Sequence, residues 1–138
     1  MKIVVLDAAT LGSDLDLSPL QREGDVTVYA HSAPDEVRGR IADADAVILN
    51  KVRIGEGQMP DAGHEPGIIC IAATGFDNVD LTVCRAHGVA VANVKGYSTD
   101  SVAQVTVGLV LSLVSRLPAY CAVTRNGDYT RGGTANRL

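Results

Sequence analysis

The feature that most constrains this chain is a set of short apolar runs with no polar alternation. Residues 68–73 read IICIAA, with Pro66 and Gly67 before them and a turn, Thr74-Gly75, after them. A strand wetted on one face alternates polar and apolar residues, whereas an unbroken apolar run of strand length needs cover on both faces, as in a parallel sheet. Residues 2–6, 46–49 and 89–94 read as further buried strands, and residues 26–30 alternate lightly, which suits a position nearer an edge.

The intervals between these runs carry helix punctuation. Pro34 opens a helix at a first-turn position, with Asp35 and Glu36 suiting the dipole and Val37 and Ile41 apolar; it runs to about residue 42. Asp80 stands where an N-cap belongs, residues 81–87 follow as a helix, and Gly88 stops them. Residues 15–22 form a weaker helix with Pro19 in its first turns. Residues 53–67, rich in Gly and Pro, make a loop with at most one short helical turn. Gly55-x-Gly57 is no dinucleotide fingerprint, because no strand runs into it and no helix opens from it.

The alternation predicts an α/β fold: a flavodoxin-like, doubly wound sheet of five parallel strands in the order 2-1-3-4-5, followed by a long apolar C-terminal helix. The turns at Asp7, Asn50-Lys51, Thr74-Gly75 and Lys95-Gly96 then share the carboxyl edge of the sheet, where ligands bind in open α/β folds. The last helix, residues 101–117, is apolar nearly all round, which implies a partner surface. Pro118 breaks or kinks it and residues 119–126 continue it. The expected division is 1–100 for the sheet domain, 101–126 for a linking and dimerisation helix, and 127–138 for a flexible tail.

Composition excludes several function classes. A net charge of −4 over 138 residues leaves no basic footprint for nucleic acid and no polybasic patch for a membrane surface. No run of about 18 uncharged apolar residues is present, and the N-terminal apolar run is broken by Asp7, so a cytoplasmic protein is expected. Three cysteines, Cys70, Cys84 and Cys121, read as buried reduced thiols without a disulfide frame or metal site. His31, His64 and His87 lie in expected loops or a helix end and read as structural.

The segments MKIVVLDA, AATGFDNVDL and GVAVANVKGYSTDSVAQVT resemble the N-terminal part of the D-2-hydroxyacid dehydrogenase family, nearest its glycerate dehydrogenase (hydroxypyruvate reductase) branch, over about residues 1–120. The resemblance implies a substrate-binding domain in which the backbone amides of Thr74, Gly75 and Phe76 hold the carboxylate of a small 2-oxo or 2-hydroxy acid. It implies that Lys51, beside Asn50, lines the substrate pocket. It also implies that Val102 and Thr106, one turn apart on the last helix, approach the nicotinamide end of NAD(P), with Gln104 a weaker candidate. Each has a plainer reading: a tight turn with Gly75 at positive φ, a solvated Lys51, Val102 in a core, and a Thr106 hydroxyl bonded back to its own helix. Lys95 stands where the family has proline, and Gly63-His64-Glu65-Pro66-Gly67 departs from the family's more hydrophobic approach to the fourth strand.

The family transfers hydride between NAD(P)H and the carbonyl carbon of a 2-oxo acid. The resemblance places the Gly-rich pyrophosphate turn and the arginine, histidine and carboxylate of catalysis after this chain's end. No G-x-G-x-x-G occurs in these 138 residues. The expectation is therefore a truncated substrate-binding domain without catalytic groups or a metal, binding no cofactor tightly, inactive or nearly so alone, and dimerising through residues 101–117. The alternative is a stand-alone flavodoxin-like module that binds a carboxylate or a protein partner without chemistry. A signalling receiver domain is disfavoured, because Asn50 occupies the third-strand position where a phosphoacceptor Asp belongs.

Overall fold

The computed structural model describes residues 1–127, so most of the expected 127–138 tail lies outside the described residues. Strands β1 (Lys2–Val5), β2 (Asp25–Val28), β3 (Ala46–Leu49), β4 (Ile68–Ile71) and β5 (Ala90–Asn93) form one parallel sheet in the order β2-β1-β3-β4-β5. The expected topology is thus observed. Helix α1 (Val37–Ile41) joins β2 to β3, and α2 (Leu81–Ala86) joins β4 to β5. The chain divides into two compact units, the first Met1–Lys95 and the second beginning at Gly96. The second contains α3 (Thr99–Val114) and α4 (Leu117–Arg125).

Register decides which side chains make the core. Val4, Val47 and Ile69 lie side by side, and Leu49 pairs with Ile71 in the same face. They pack with Leu6, with Val37 and Ile41 of α1, with Cys84 of α2, and with Met59 from the β3–β4 connection. Most of these side chains are fully buried, and each such burial contributes about 1.5–3 kcal/mol. The opposite face is less evenly covered. Ile3 and Val5 are buried, Ile48, Ile68 and Cys70 are half-buried, and Ala90 and Ala92 are exposed. The expectation of continuous cover on both faces therefore holds at β1 and fails toward β5, where small side chains replace Val and Ile.

Several elements are shorter than expected. The helix expected from Pro34 starts three residues later, because the Glu36 carboxylate accepts the Ala33 N–H (2.7 Å) and residues 34–36 become its lead-in turn. The region expected as a helix over 15–22 is a 3-10 helix, Ser18–Arg22, with Pro19 in its first turn. The strands expected over 68–73 and 89–94 end at Ile71 and Asn93, although Val94 N–H still donates to Ala73 O (3.1 Å). The long helix ends earlier than Pro118. Arg116 is left-handed (φ 51°), and Pro118 sits in the first turn of α4, where its missing N–H costs nothing. Cys84 is buried and Cys70 half-buried, with burial raising both thiol pKa values. Cys121, expected buried, is exposed on α4, and all three are free.

The apolar side chains of α3 are exposed, Leu113 to 75% and Val114 to 78%. No single helix among the described residues is long and apolar enough to cross a membrane; α3 and α4 pass that test only as a pair bent by 66°.

The β3–β4 connection is pinned to α2 by an imidazole. His87 closes α2, with Nδ1 3.3 Å from Glu65 Oε1 and Nε2 3.4 Å from Glu56 Oε1. The Glu65 hydrogen bond raises the His87 pKa above its ordinary 6.5. The Glu65 carboxyl is held below its usual 4.5 by its own backbone N–H, then by that of Gly63 and by His87. Imidazolium is favoured in the folded state, so the His87 contribution is complete below pH 6.5 and is lost as pH rises through the higher folded value. The Glu65 contribution runs oppositely: it is present above pH 4.5 and is lost on acidification through the lower folded value. His87→Gln should therefore lower the melting midpoint near pH 6 and flatten its decline above that pH. Melts of the two proteins across pH 5–9 check this; an equal alkaline decline in both contradicts the pairing.

Candidate functional site

The site begins with one buried charge. Asp7 follows β1 and is 3% exposed, and β1 lies beside β3, so its carboxylate meets the chain leaving β3. It accepts backbone N–H donors from Asn50 (2.9 Å), Lys51 (2.6 Å) and Val52 (3.1 Å). A carboxylate can be buried when it accepts several such bonds, and bonds to a charged acceptor are stronger than neutral ones. Asn50 in turn donates to the carbonyl and hydroxyl oxygens of Thr10 (3.2 and 3.0 Å).

The next loop is tied to this one. Asn78 Nδ2 donates to Val52 O (2.7 Å) and Asn50 O (3.3 Å), Ile54 N–H donates to Asn78 O, and Asp80 N–H to Ile54 O (both 2.9 Å). Asp80 also caps α2, accepting from the N–H of Thr82 and Val83, as its sequence position predicts. The last loop is joined through Thr74: its hydroxyl donates to Val94 O (3.0 Å), and Asn93 Nδ2 donates to Thr74 O (2.7 Å). Hydrogen bonds therefore link the chain after β1, β3, β4 and β5 along the carboxyl edge.

Within this frame, Thr74, Gly75 and Phe76 are exposed. None of their three N–H groups has an acceptor among the described residues. N–H groups without an internal acceptor are available to an external one. Gly75 is not left-handed, contrary to the tight-turn reading. A Cβ placed on it would meet only Asp77 Oδ1, at an ordinary 3.4 Å. Neither backbone geometry nor packing within the described residues requires glycine here, which leaves the backbone open to close approach from outside. Phe76, 49% exposed, lines a small cavity of about 160 Å³ with Leu81, Val91, Ala92, Asn93 and Lys95.

The structure brings Lys51, Thr74, Gly75 and Phe76 to one edge, from adjacent strands β3 and β4. The Lys51 N–H serves Asp7 while its side chain is exposed, with no ion pair among the described residues. Val102 and Thr106 lie on α3 in the second unit. The Thr106 hydroxyl donates to Val102 O (2.8 Å), the plainer reading, whereas Val102 is 59% exposed and so is not a core residue. His64 pairs with Asp43 and His87 with Glu65 and Glu56, away from this edge. Among the described residues no group of three His, Cys, Asp or Glu side chains is placed to hold a metal. Sequence reasoning treated Asp7 as a strand end and missed both its role and that of Asn78. A lone Asp directly after an unbroken apolar strand was the available sign.

Asp7→Ala leaves three inward N–H groups without their acceptor, at a cost of about 3 kcal/mol or more. Urea unfolding should show that loss together with faster hydrogen exchange at residues 50–52. A loss under about 1 kcal/mol contradicts the assignment.

Residues 3–136 match the family model described as D-isomer specific 2-hydroxyacid dehydrogenase, catalytic domain. A hydroxypyruvate reductase of Blautia hydrogenotrophica is 35% identical over 137 residues, covering 94% of this chain and 41% of the relative. A glycerate dehydrogenase of Methylorubrum extorquens is 32% identical over 101 residues, covering 71% of this chain and 31% of the relative. Among solved structures, the NAD+-bound 3-phosphoglycerate dehydrogenase of Entamoeba histolytica is 28% identical, with a TM-score of 0.63 over 81% of this chain and 38% of that one. The chain thus spans about two fifths or less of the length of these relatives. The chain belongs to the D-isomer specific 2-hydroxyacid dehydrogenase family, within its catalytic domain.

Proposed function

We propose that this chain is the substrate-binding part of an NAD(P)-dependent D-2-hydroxyacid dehydrogenase acting in the cytoplasm on a small 2-oxo or 2-hydroxy acid such as hydroxypyruvate or glycerate. The observation that carries this reading is that the N–H groups of Thr74, Gly75 and Phe76 have no acceptor among the described residues, at a glycine that neither backbone geometry nor packing within those residues requires. These amides bind the substrate carboxylate, and Lys51, from the neighbouring strand end, adds a positive charge beside it. The Asp7 and Asn78 bonds hold the Lys51 backbone and the cradle turn in one frame, so the two need little ordering when substrate arrives.

The described residues do not fit the pyrophosphate of a dinucleotide. The only G-x-G follows no strand directly and opens a three-residue 3-10 turn, Glu56–Gln58, too short to offer a helix N-terminus. NAD(P) supplies the hydride in this family, and tight cofactor binding and proton transfer require groups other than residues 1–127. In this reading Val102 and Thr106 of α3 approach the nicotinamide end, and the exposed apolar side of α3 pairs with a second copy. Sedimentation of the chain should then show a concentration-dependent dimer; a monomer at all concentrations removes that part.

Gly75→Val places a branched side chain where the carboxylate must approach. Calorimetric titration with glycerate should show at least tenfold weaker binding in Gly75→Val, with circular dichroism unchanged. Equal binding removes the cradle. The 138-residue chain, folded and intact in mass, should not oxidise NADH with hydroxypyruvate or glyoxylate; family-like turnover would mean the catalytic groups are misplaced.

A further inference from the structure

We propose that Lys95 is a specificity-determining residue that selects small 2-hydroxy or 2-oxo acids carrying a second anionic group. This inference rests on the reading of residues 74–76 as a carboxylate cradle.

Three observations carry it. The first is attachment. Asn93 Nδ2 donates to Thr74 O (2.7 Å), Thr74 Oγ1 donates to Val94 O (3.0 Å), and Val94 N–H donates to Ala73 O (3.1 Å). The two residues before Lys95 are therefore fixed to the cradle turn from both sides, and Lys95 is the next residue along. The second is a shared cavity. Lys95 and Phe76, the last cradle residue, line the same space of about 160 Å³, walled by Leu81, Val91 and Ala92. That is well below the roughly 300–1,000 Å³ of drug-sized ligand pockets, so it admits a group of only a few heavy atoms. The third is strand order. The cradle follows β4, Lys51 follows β3 and Lys95 follows β5, so the sheet sets one lysine on each side of the three amides. Neighbouring strands lie about 4.8 Å apart, so the two lysine-bearing chains are about 10 Å apart with the cradle between them.

The local charges make the second lysine informative. Asp77 Oδ1 stands 3.4 Å from where a Cβ on Gly75 would lie, so an anion at the cradle meets a carboxylate nearby. One flanking lysine offsets that charge for a monoanion. The other faces the remainder of the ligand. Among the described residues Lys95 makes no ion pair, and its side chain is exposed. An ammonium is a compact point charge with rotatable donors, so it reads the charge of its partner more than its shape. A second carboxylate on the substrate meets that charge, whereas a neutral hydroxymethyl group gains little from it.

The test uses two ligands of nearly equal size: tartronate, a 2-hydroxy acid with two carboxylates, and glycerate, in which a hydroxymethyl replaces one of them. Both are titrated into the 138-residue chain at low ionic strength, where exposed charges are least screened. Tartronate should bind about tenfold more tightly than glycerate. About twofold of that is statistical, from two equivalent carboxylates, and about fivefold comes from an exposed ion pair. In Lys95→Met and in Lys95→Gln the ratio should fall to about twofold, with circular dichroism unchanged. A ratio that survives both substitutions overturns the inference, as does a ratio that collapses only in Lys51→Met. If glycerate binding is lost in Gly75→Val while the ratio ignores Lys95, the cradle stands and this inference alone fails. If neither ligand binds the unmodified chain, the cradle fails and takes this inference with it.

Discussion

The carboxyl edge of this protein depends on a carboxylate with almost no access to water. Asp7 is 3% exposed and accepts three successive backbone N–H groups from the chain leaving β3. A sheet core alone does not determine how the chain leaves a strand, because hydrophobic burial is non-directional. A buried charge does determine it, because its desolvation is offset only when donors converge on it. The core therefore sets the order of the strands, and Asp7 sets the path of the loop that carries Lys51.

From that point order passes along the edge by short polar contacts. The carbonyls of Asn50 and Val52 accept from Asn78, so the β4 loop takes its position from the β3 loop. Thr74 and Asn93 then bind the β4 loop to the end of β5. Asn50, Thr74 and Asn93 sit at or just beyond the ends of strands held by the parallel ladder, and Asn78 lies in the loop between β4 and α2. Polar groups fixed in this way present amides to a ligand without first having to be ordered, which is how a loop site gains affinity from a rigid scaffold. The amides of Thr74, Gly75 and Phe76 are among the N–H groups of this edge that have no acceptor within the described residues.

Much of the fold was legible in the sequence, for identifiable reasons. The apolar runs at 2–6, 46–49, 68–73 and 89–94 had only one economical arrangement, and Asp80 and Gly88 marked the ends of α2 by chemistry local to the chain. The misjudged parts were those where local signals compete. Pro34 suits a first helical turn, yet the Glu36 side chain captured the Ala33 N–H and held those residues in a turn. Pro118 marked a break, yet the break fell at Arg116, since a proline early in a new helix needs the old one to end before it. The candidate site was legible as a turn and a neighbouring lysine, but its frame was not. Asp7 and Asn50 lie 43 residues apart, and nothing between them announces that they meet until β1 and β3 are placed side by side. Gly75 had both a conformational and a binding reading in the sequence, and the structure removes the conformational one, since it is not left-handed.

The proposed function depends on whether those three amides receive a carboxylate. The direct measurement is a nitrogen–proton correlation spectrum of the isotope-labelled chain during titration with glycerate. Saturable shifts should be largest at Thr74, Gly75 and Phe76 and smaller at Lys51, with little movement at the amides of β1 and β2. Shifts centred elsewhere, or none at millimolar glycerate in a folded sample, would contradict the proposed function.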